Sequence, residues 1–326
     1  MASLVPVDAL EVDILVDNVT DNLSSVPAFV DIEMLSLGRR GFARTGGRAL
    51  CVAAHGLSCL VTVRHGDRIR RLLFDTGPDE EVFERNAGLL QVDLGAVEAI
   101  ILSHGHWDHG GAMLRALDMI RARNGGRAVE CYVHPGMFVT RATKSADGTM
   151  RLLEDVPSMA ALGARGGRVV CGTASVDVLD GCVHVSGEIP RLTPFERGLQ
   201  SQHRRVDDAS PWEPDPLLMD ERFAAVHVAG KGLVVFTACS HAGVVNVLNH
   251  ARAGFPGVPL HAVIGGLHLV GSNEKIIPET VAALRDFGLA TIAAGHCTGW
   301  RAMTALANAF GDARLAPLAV GKRYRF

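Results

Sequence analysis

Aromatic residues make up 5% of the 326 positions, with three tryptophans and two tyrosines, and the formal net charge is −3. Without a basic groove or a series of stacking rings, nucleic acid is not an expected partner. The one knot of positive charge, Arg39-Arg40 with Arg44 and Arg48, is short and broken by glycines. No run approaches the ~20 apolar residues needed to cross a bilayer, so no membrane role is expected. The first residues carry Asp8, Glu11, Asp13 and Asp17 instead of a basic stretch followed by an apolar one, and show no secretory signal. Seven cysteines, odd in number and without a repeating pattern, do not make a disulfide framework. No Walker-type loop is present, which disfavours nucleoside triphosphates. These absences leave a cytoplasmic protein acting on a small molecule as the expectation; oligomeric state is not set by the sequence.

What the chain does have is apolar residues, 48%, against 21% charged, enough for a large core. The pattern predicts strands over 10–16, 59–63, 71–74, 98–102 and 130–133, with a turn at Gly66-Asp67 and helices over 80–90 and 112–123. Residues from about 137 to 223 are less regular. Acidic residues interleave there with Pro211, Pro214 and Pro216, as expected of an insertion or pocket-covering region within a single domain spanning 1–326. Strands at 168–170 and 176–179 tie this region to the core. Further strands are expected at 233–236, 262–264 and 289–293, with helices over 242–253 and 301–310.

Ser103-His104-Gly105-His106-Trp107-Asp108-His109-Gly110-Gly111 places three imidazoles and a carboxylate within six positions, directly after an apolar strand. His104 and His106, one glycine apart in extended chain, can face one ion. Asp108 and His109, at a loop-to-helix junction, can reach a second. Structural zinc sites favour cysteine-rich closed tetrahedra, whereas a histidine and carboxylate set leaves room for water. The order strand, polar loop with histidine, helix recurs at His241 and His296. Loops of that kind share one edge of a sheet, where a ligand shell can close.

These residues resemble the metallo-beta-lactamase superfamily, in the motif His104-x-His106-x-Asp108-His109, in Phe74-Asp75-Thr76-Gly77 one strand earlier, and in the late Gly295-His296. The resemblance spans nearly the whole chain. It implies an α+β fold, the four-layer αββα sandwich, with two metal ions and a bridging hydroxide at the edge between its sheets. His104 and His106 would hold the first ion, and Asp108, His109 and His296 the second. Many members place a bridging aspartate after the strand corresponding to residues 233–236; here Cys239-Ser240-His241 stands there. That stretch, with Ile264-Gly265-Gly266-Leu267-His268 and Gly295-His296-Cys297-Thr298-Gly299, is similar to a narrower branch containing a pterin-linked ribofuranosylaminobenzene 5′-phosphate synthase.

His241 is the expected further ligand, joining His104 and His106. Cys239 is read as a buried inert thiol with ligation as the alternative. Asp75 is expected to accept a hydrogen bond from a ligating imidazole. Ser240, His268, Thr298 and His134 are expected to support ligands or to face substrate, and His184 is expected to be structural. Ser272, Lys275 and Arg301 are candidates for phosphate recognition. Two divalent ions are expected, zinc first and manganese or iron as alternatives. The expected activity is hydrolysis by a metal-bound hydroxide of a small, possibly phosphorylated substrate, with Asp108 managing the proton. The pterin-linked synthase reaction, redox chemistry at iron and a non-enzymatic metal sensor are the alternatives.

Overall fold

Phe74 and Phe236 meet in the middle of the molecule, ring centroids 6.0 Å apart, each near the end of a strand in a different sheet. In the computed structural model, which describes residues 4–326, period-two alternation sorts the side chains of both strands. Leu72 and Phe74 point into the space between the sheets while Leu73 points outward onto helices; Val234 and Phe236 point inward while Leu233 and Val235 point outward. A strand whose two faces are both buried reads as a continuous apolar run, and for that reason Leu72-Leu73-Phe74 and Leu233-Val234-Val235-Phe236 stand out in the sequence. Three cores result, one between the sheets and one under the helices on each side. The fold is therefore the four-layer αββα sandwich.

The first sheet has eight strands, in the order Val30–Asp31, Arg323–Arg325, Ala9–Val16, Ser58–His65, Arg68–Phe74, Val97–Ile101, Val129–Val133, Gly167–Cys171. The second has six, in the order Val176–Val178, Val183–Val185, Ala224–Val228, Gly232–Thr237, Leu260–Gly266, Thr291–Gly295. Each begins antiparallel and ends in parallel pairs. Parallel neighbours need crossover connections, supplied by Glu80–Leu90 and Met113–Arg121 on one side and by Val244–Gly254 and Ile277–Asp286 on the other. This arrangement brings the carboxyl ends of the parallel strands of each sheet to one edge, the place where open α/β sheets bind ligands.

A third, antiparallel sheet, in the order Glu213–Pro214, Gln202–Arg205, Thr140–Lys144, Met150–Leu152, stands apart from the sandwich. The strands Gly167–Cys171, Val176–Val178 and Val183–Val185 join the two main sheets instead. Buried Arg141 ties this small sheet to the histidine loop. It pairs with Asp215 at 2.7 Å and Asp220 at 2.7 Å, and the other oxygen of Asp220 accepts the Gly105 N–H at 2.8 Å. Gly105 admits no side chain, because a Cβ would lie 2.6 Å from the Met137 carbonyl oxygen.

The helix Val244–Gly254 starts just past His241 without a cap from its own flank. Buried Glu196 supplies one from a distance, accepting the Val245 and Asn246 N–H groups at 2.8 Å each. Burial pushes its carboxyl up to about 7, against the lowering effect of those two N–H groups. A raised carboxyl favours the folded state most below the unfolded value and loses that contribution as pH rises through about 7. Chemical denaturation between pH 5 and 8 is therefore expected to show a fall on the order of 2–3 kcal/mol from this group. Glu196→Gln should flatten that part of the profile.

Candidate metal centre

Four strand ends deliver the site, and each turns sharply. Asp75, Ser240, His268 and His296 have φ of 59°, 57°, 43° and 46°, half of the eight non-glycine residues with positive φ among those described. Left-handed backbone costs an L-residue roughly 1–2 kcal/mol. Its concentration here marks the edge as a place where side-chain aim outweighs local strain. The loop after Val97–Ile101 adds a one-turn helix, Trp107–Gly110, entered from His106. Asp108 and His109 thus sit on a short helix of their own, where the sequence predicts a loop running into the next helix.

In the first donor group, His104 Nε2 lies 3.1 Å from His106 Nδ1 and 3.1 Å from His241 Nε2. The tautomer of His104 follows from its neighbours. The single Ser103 hydroxyl proton goes to Asp75 Oδ2 at 2.7 Å, so the 2.9 Å contact to His104 must be Nδ1–H donating to Oγ. His104 Nε2 therefore presents a lone pair to the cluster. Burial drives His104 and His241 well below the ordinary imidazole range, and burial with Arg141 pushes His106 down to about 3. All three rings are neutral. For zinc–nitrogen bonds of about 2.0–2.1 Å, tetrahedral ligands stand about 3.3–3.4 Å apart, close to the observed spacing.

The second group is Asp108, His109 and His296. Asp75 Oδ2 accepts the His109 Nδ1–H at 2.8 Å, and Asn18 Oδ1 accepts the His296 Nδ1–H at 3.0 Å. Both Nε2 lone pairs consequently face Asp108 Oδ2, at 3.5 Å and 3.4 Å. Lone pairs facing a carboxylate oxygen repel one another unless a cation lies between them. Burial opposes charge on His109, yet Asp108 and Asp75 overcome it and raise its pKa to about 10; with no cation between them the ring takes a proton at Nε2, and an ion bound there would take that proton's place. Nε2 of His296, which faces into this group, is buried without a hydrogen-bond partner, as an ion-binding atom would be; the unpartnered His106 Nε2 and His241 Nδ1 are the ring nitrogens opposite the ones that meet His104. The donor chemistry fits divalent ions.

Cys239 lies between the groups. Its sulfur is 3.2 Å from His109 Nε2, and the donor atoms of Cys239, His104 and His109 all lie within 4.8 Å of one another. A further set, buried Cys239 and Cys297 with half-buried His268, meets the same limit.

Residues 70–156 match the Beta-lactamase superfamily domain. A protein of Methanocaldococcus jannaschii named 7,8-dihydropterin-6-methyl-4-(beta-D-ribofuranosyl)-aminobenzene-5′-phosphate synthase is 30% identical over 258 residues, 76% of this chain and 82% of that protein. The chain belongs to the metallo-beta-lactamase superfamily. An uncharacterized protein of the same organism is 24% identical over 266 residues, covering 78% of this chain and 88% of its own. A solved metal-dependent hydrolase of the beta-lactamase superfamily has the same fold, with a TM-score of 0.69 at 20% identity over 96% of this chain and 98% of its own. The chain thus has a metal-dependent hydrolase-like fold of this superfamily, carrying candidate dinuclear metal-binding clusters.

As a member of the superfamily the chain departs from the bridging-aspartate pattern at Cys239. The structure brings His104, His106, Asp108, His109, His241 and His296 together, with Asp75 behind His104 and His109. His268 lies against His241, ring centroids 4.6 Å apart. Ser240 and Thr298 are placed behind the site: the Ser240 hydroxyl donates to the Gly266 carbonyl, and the Thr298 hydroxyl donates to the Gly295 carbonyl and accepts the Leu267 N–H. His134 lies outside both groups, its Nδ1 accepting the Gly136 N–H and its Nε2 3.2 Å from Glu188. His184 pairs with Asp177 and packs edge-on to Phe255. Ser272 and Lys275 are exposed, and Arg301 pairs with Glu274.

A cavity of about 340 Å³ opens over the two groups. His106, Asp108, His241 and His296 form part of its wall, while Thr143, Leu153 and Gln202 come from the small sheet and its margin. No lysine or arginine lines it among the described residues. A larger cavity of about 430 Å³, against Asp21, Lys322 and Tyr324, shares no residue with it and presents no histidine or cysteine. Sequence reading had no signal for Asn18 and His55, which line the reactive cavity 37 positions apart. Ser103 was legible only as the start of the histidine motif, and Glu221 only as one of the acidic residues of the irregular region; Glu221 accepts the N–H groups of His241 and Ala242 at 2.6 Å each.

Proposed function

We propose that the protein is a dinuclear metal-dependent hydrolase of a small ester, lactone or phosphomonoester. The observation that carries this reading is the pair of three-donor groups whose lone pairs converge beneath one cavity. His104, His106 and His241 would hold one ion, and Asp108, His109 and His296 the other. Cys239, whose sulfur lies beside His109 Nε2, would offer a further donor where other members carry an aspartate. Zinc suits imidazole and thiolate together better than manganese, and iron is the alternative.

Two divalent ions in such a site lower the pKa of a shared water and polarise the electrophile. The chain does the rest. Asp75 holds His104, through Ser103, and His109 in the tautomers that present Nε2. Asp108 lines the cavity beside both histidines of its group, and its carboxylate is where a proton leaving the attacking water can be held. The region of about 137–223 covers the pocket through Thr143, Leu153 and Gln202, within a single domain, and limits the entry of bulk water.

A wall without lysine or arginine favours a single reacting group over the doubly phosphorylated substrates of a condensation. The identity to the pterin-linked synthase, 30% over 76% of the chain, supports that activity as a second reading. A panel of phosphomonoesters, cyclic phosphodiesters, lactones and pterin precursors, given to the metal-loaded chain, separates the two. Metal-dependent hydrolysis of one ester class is the expected result. Turnover of the pterin pair alone would favour the second reading, and none at all with metal still bound would leave a metal-binding sensor. The cobalt(II)-loaded chain should show a sulfur-to-metal charge-transfer band in the near ultraviolet, lost in Cys239→Ser and kept in Cys171→Ser.

A further inference from the structure

We infer that His55 is the hydrogen-bond donor that meets the substrate oxygen beside Asp108, and that Asn18 holds it there; this rests on the hydrolase reading above. The orientation of the Asn18 amide is fixed by three contacts. Its Nδ2 donates to the His296 carbonyl at 3.2 Å, and its Oδ1 accepts from the Gly56 N–H at 3.1 Å and from His296 Nδ1 at 3.0 Å. The nitrogen of that amide is therefore the atom facing His55 Nδ1 at 3.1 Å, and it donates. His55 Nδ1 is an acceptor, and the ring proton sits on Nε2.

That Nε2–H points toward Asp108 Oδ2, 3.4 Å away, beyond a good hydrogen bond and free to serve a ligand. The side chain is 58% exposed whereas Asp108 is 10% and His296 0% exposed, so His55 is the member of the cluster that an incoming molecule meets first. Its ring packs 5.1 Å from His296 and 5.9 Å from Trp107, and it lines the reactive cavity with both. The backbone is pinned on either side: Ala54 N–H donates to Asp17 O at 3.0 Å, and Leu57 N–H to Asp108 O at 3.3 Å. Gly56 lies so close to Pro78 that a Cβ would come 2.8 Å from its Cδ. One asparagine thus sets the tautomer of a ring in the second donor group and of the ring facing the substrate. The ligand chemistry is an oxygen acceptor, a carbonyl or phosphoryl oxygen that gains negative charge during attack.

The test uses the full chain loaded with zinc and inorganic phosphate as the oxyanion probe, with zinc content measured on the same samples. Wild type should bind phosphate only when zinc is present. His55→Ala should keep its zinc and bind phosphate about 10-fold more weakly, the loss of one hydrogen bond to a charged group. His55→Gln, whose amide can donate, should recover most of the affinity. On an ester that the panel shows to be turned over, kcat/KM should fall in the same order. Equal phosphate affinity in wild type and His55→Ala overturns the inference, as does zinc loss in His55→Ala matching its loss of phosphate, which would mean His55 acts only through Asp108. Failure of the hydrolase reading shows separately, as wild type that holds no zinc or that holds zinc and turns over no ester of the panel.

Discussion

His106→Ala is expected to hold one metal ion per chain in place of two and to lose at least about 10³-fold in turnover, with the fold intact. His106 Nδ1 stands 3.1 Å from His104 Nε2, and the remaining donors of its group, His104 and His241, cannot close a tetrahedron by themselves. The second group, Asp108 with His109 and His296, keeps all of its donors in this variant. Circular dichroism and thermal melting should differ little from wild type, because His106 packs at the rim of the cavity and outside the three apolar cores. Unfolding of His106→Ala in step with metal loss would instead indicate that the metal is mainly structural.

The second large effect is expected at Asp75, whose oxygens contact none of the ion-facing atoms yet support both groups. Its carboxylate accepts three donors, Ser103 N–H at 2.8 Å, Ser103 Oγ–H at 2.7 Å and His109 Nδ1–H at 2.8 Å. Asparagine tolerates the left-handed backbone of this position, so Asp75→Asn tests the side chain and not the turn. Its NH₂ group cannot accept, and at least one of the three donors loses its partner. Loss of such an outer partner typically costs 10–100-fold in metal affinity. Because Ser103 relays the effect to His104 and His109 is held directly, both ions should bind more weakly. Competition with a chelator should show two weakened steps. A single weakened step would mean that the Ser103 relay does not set the His104 tautomer.

Much of the fold was legible because both faces of the central strands are buried. Runs such as Leu72-Leu73-Phe74 and Leu233-Val234-Val235-Phe236 then read as strands without ambiguity, and Asp79 and Phe83 frame the helix Glu80–Leu90 at the expected place. The histidine motif was legible for a different reason: four donor groups within six residues leave little room for another role. His241 and His296 could be found because each directly follows a strand. His134 also follows a strand, and its spacing alone left a supporting, substrate-facing or structural role open. Its ring turns back to cap the short helix Pro135–Met137 and never reaches the site. Cys239 is apolar enough to read as core, and only the position of its sulfur beside His109 shows it between the two groups. His55 and Asn18 lie in separate loops with no shared periodicity. Nothing short of the folded chain brings them together.

Metal stoichiometry is the most direct measurement of the central claim. Chains of wild type, His106→Ala and His296→Ala, loaded with zinc and dialysed against metal-free buffer, should carry two, one and one ions per chain by elemental analysis. All three should keep the same far-ultraviolet circular dichroism. Wild type retaining no zinc, or both variants retaining as much as wild type, would contradict a dinuclear centre built on His104, His106 and His241 with Asp108, His109 and His296.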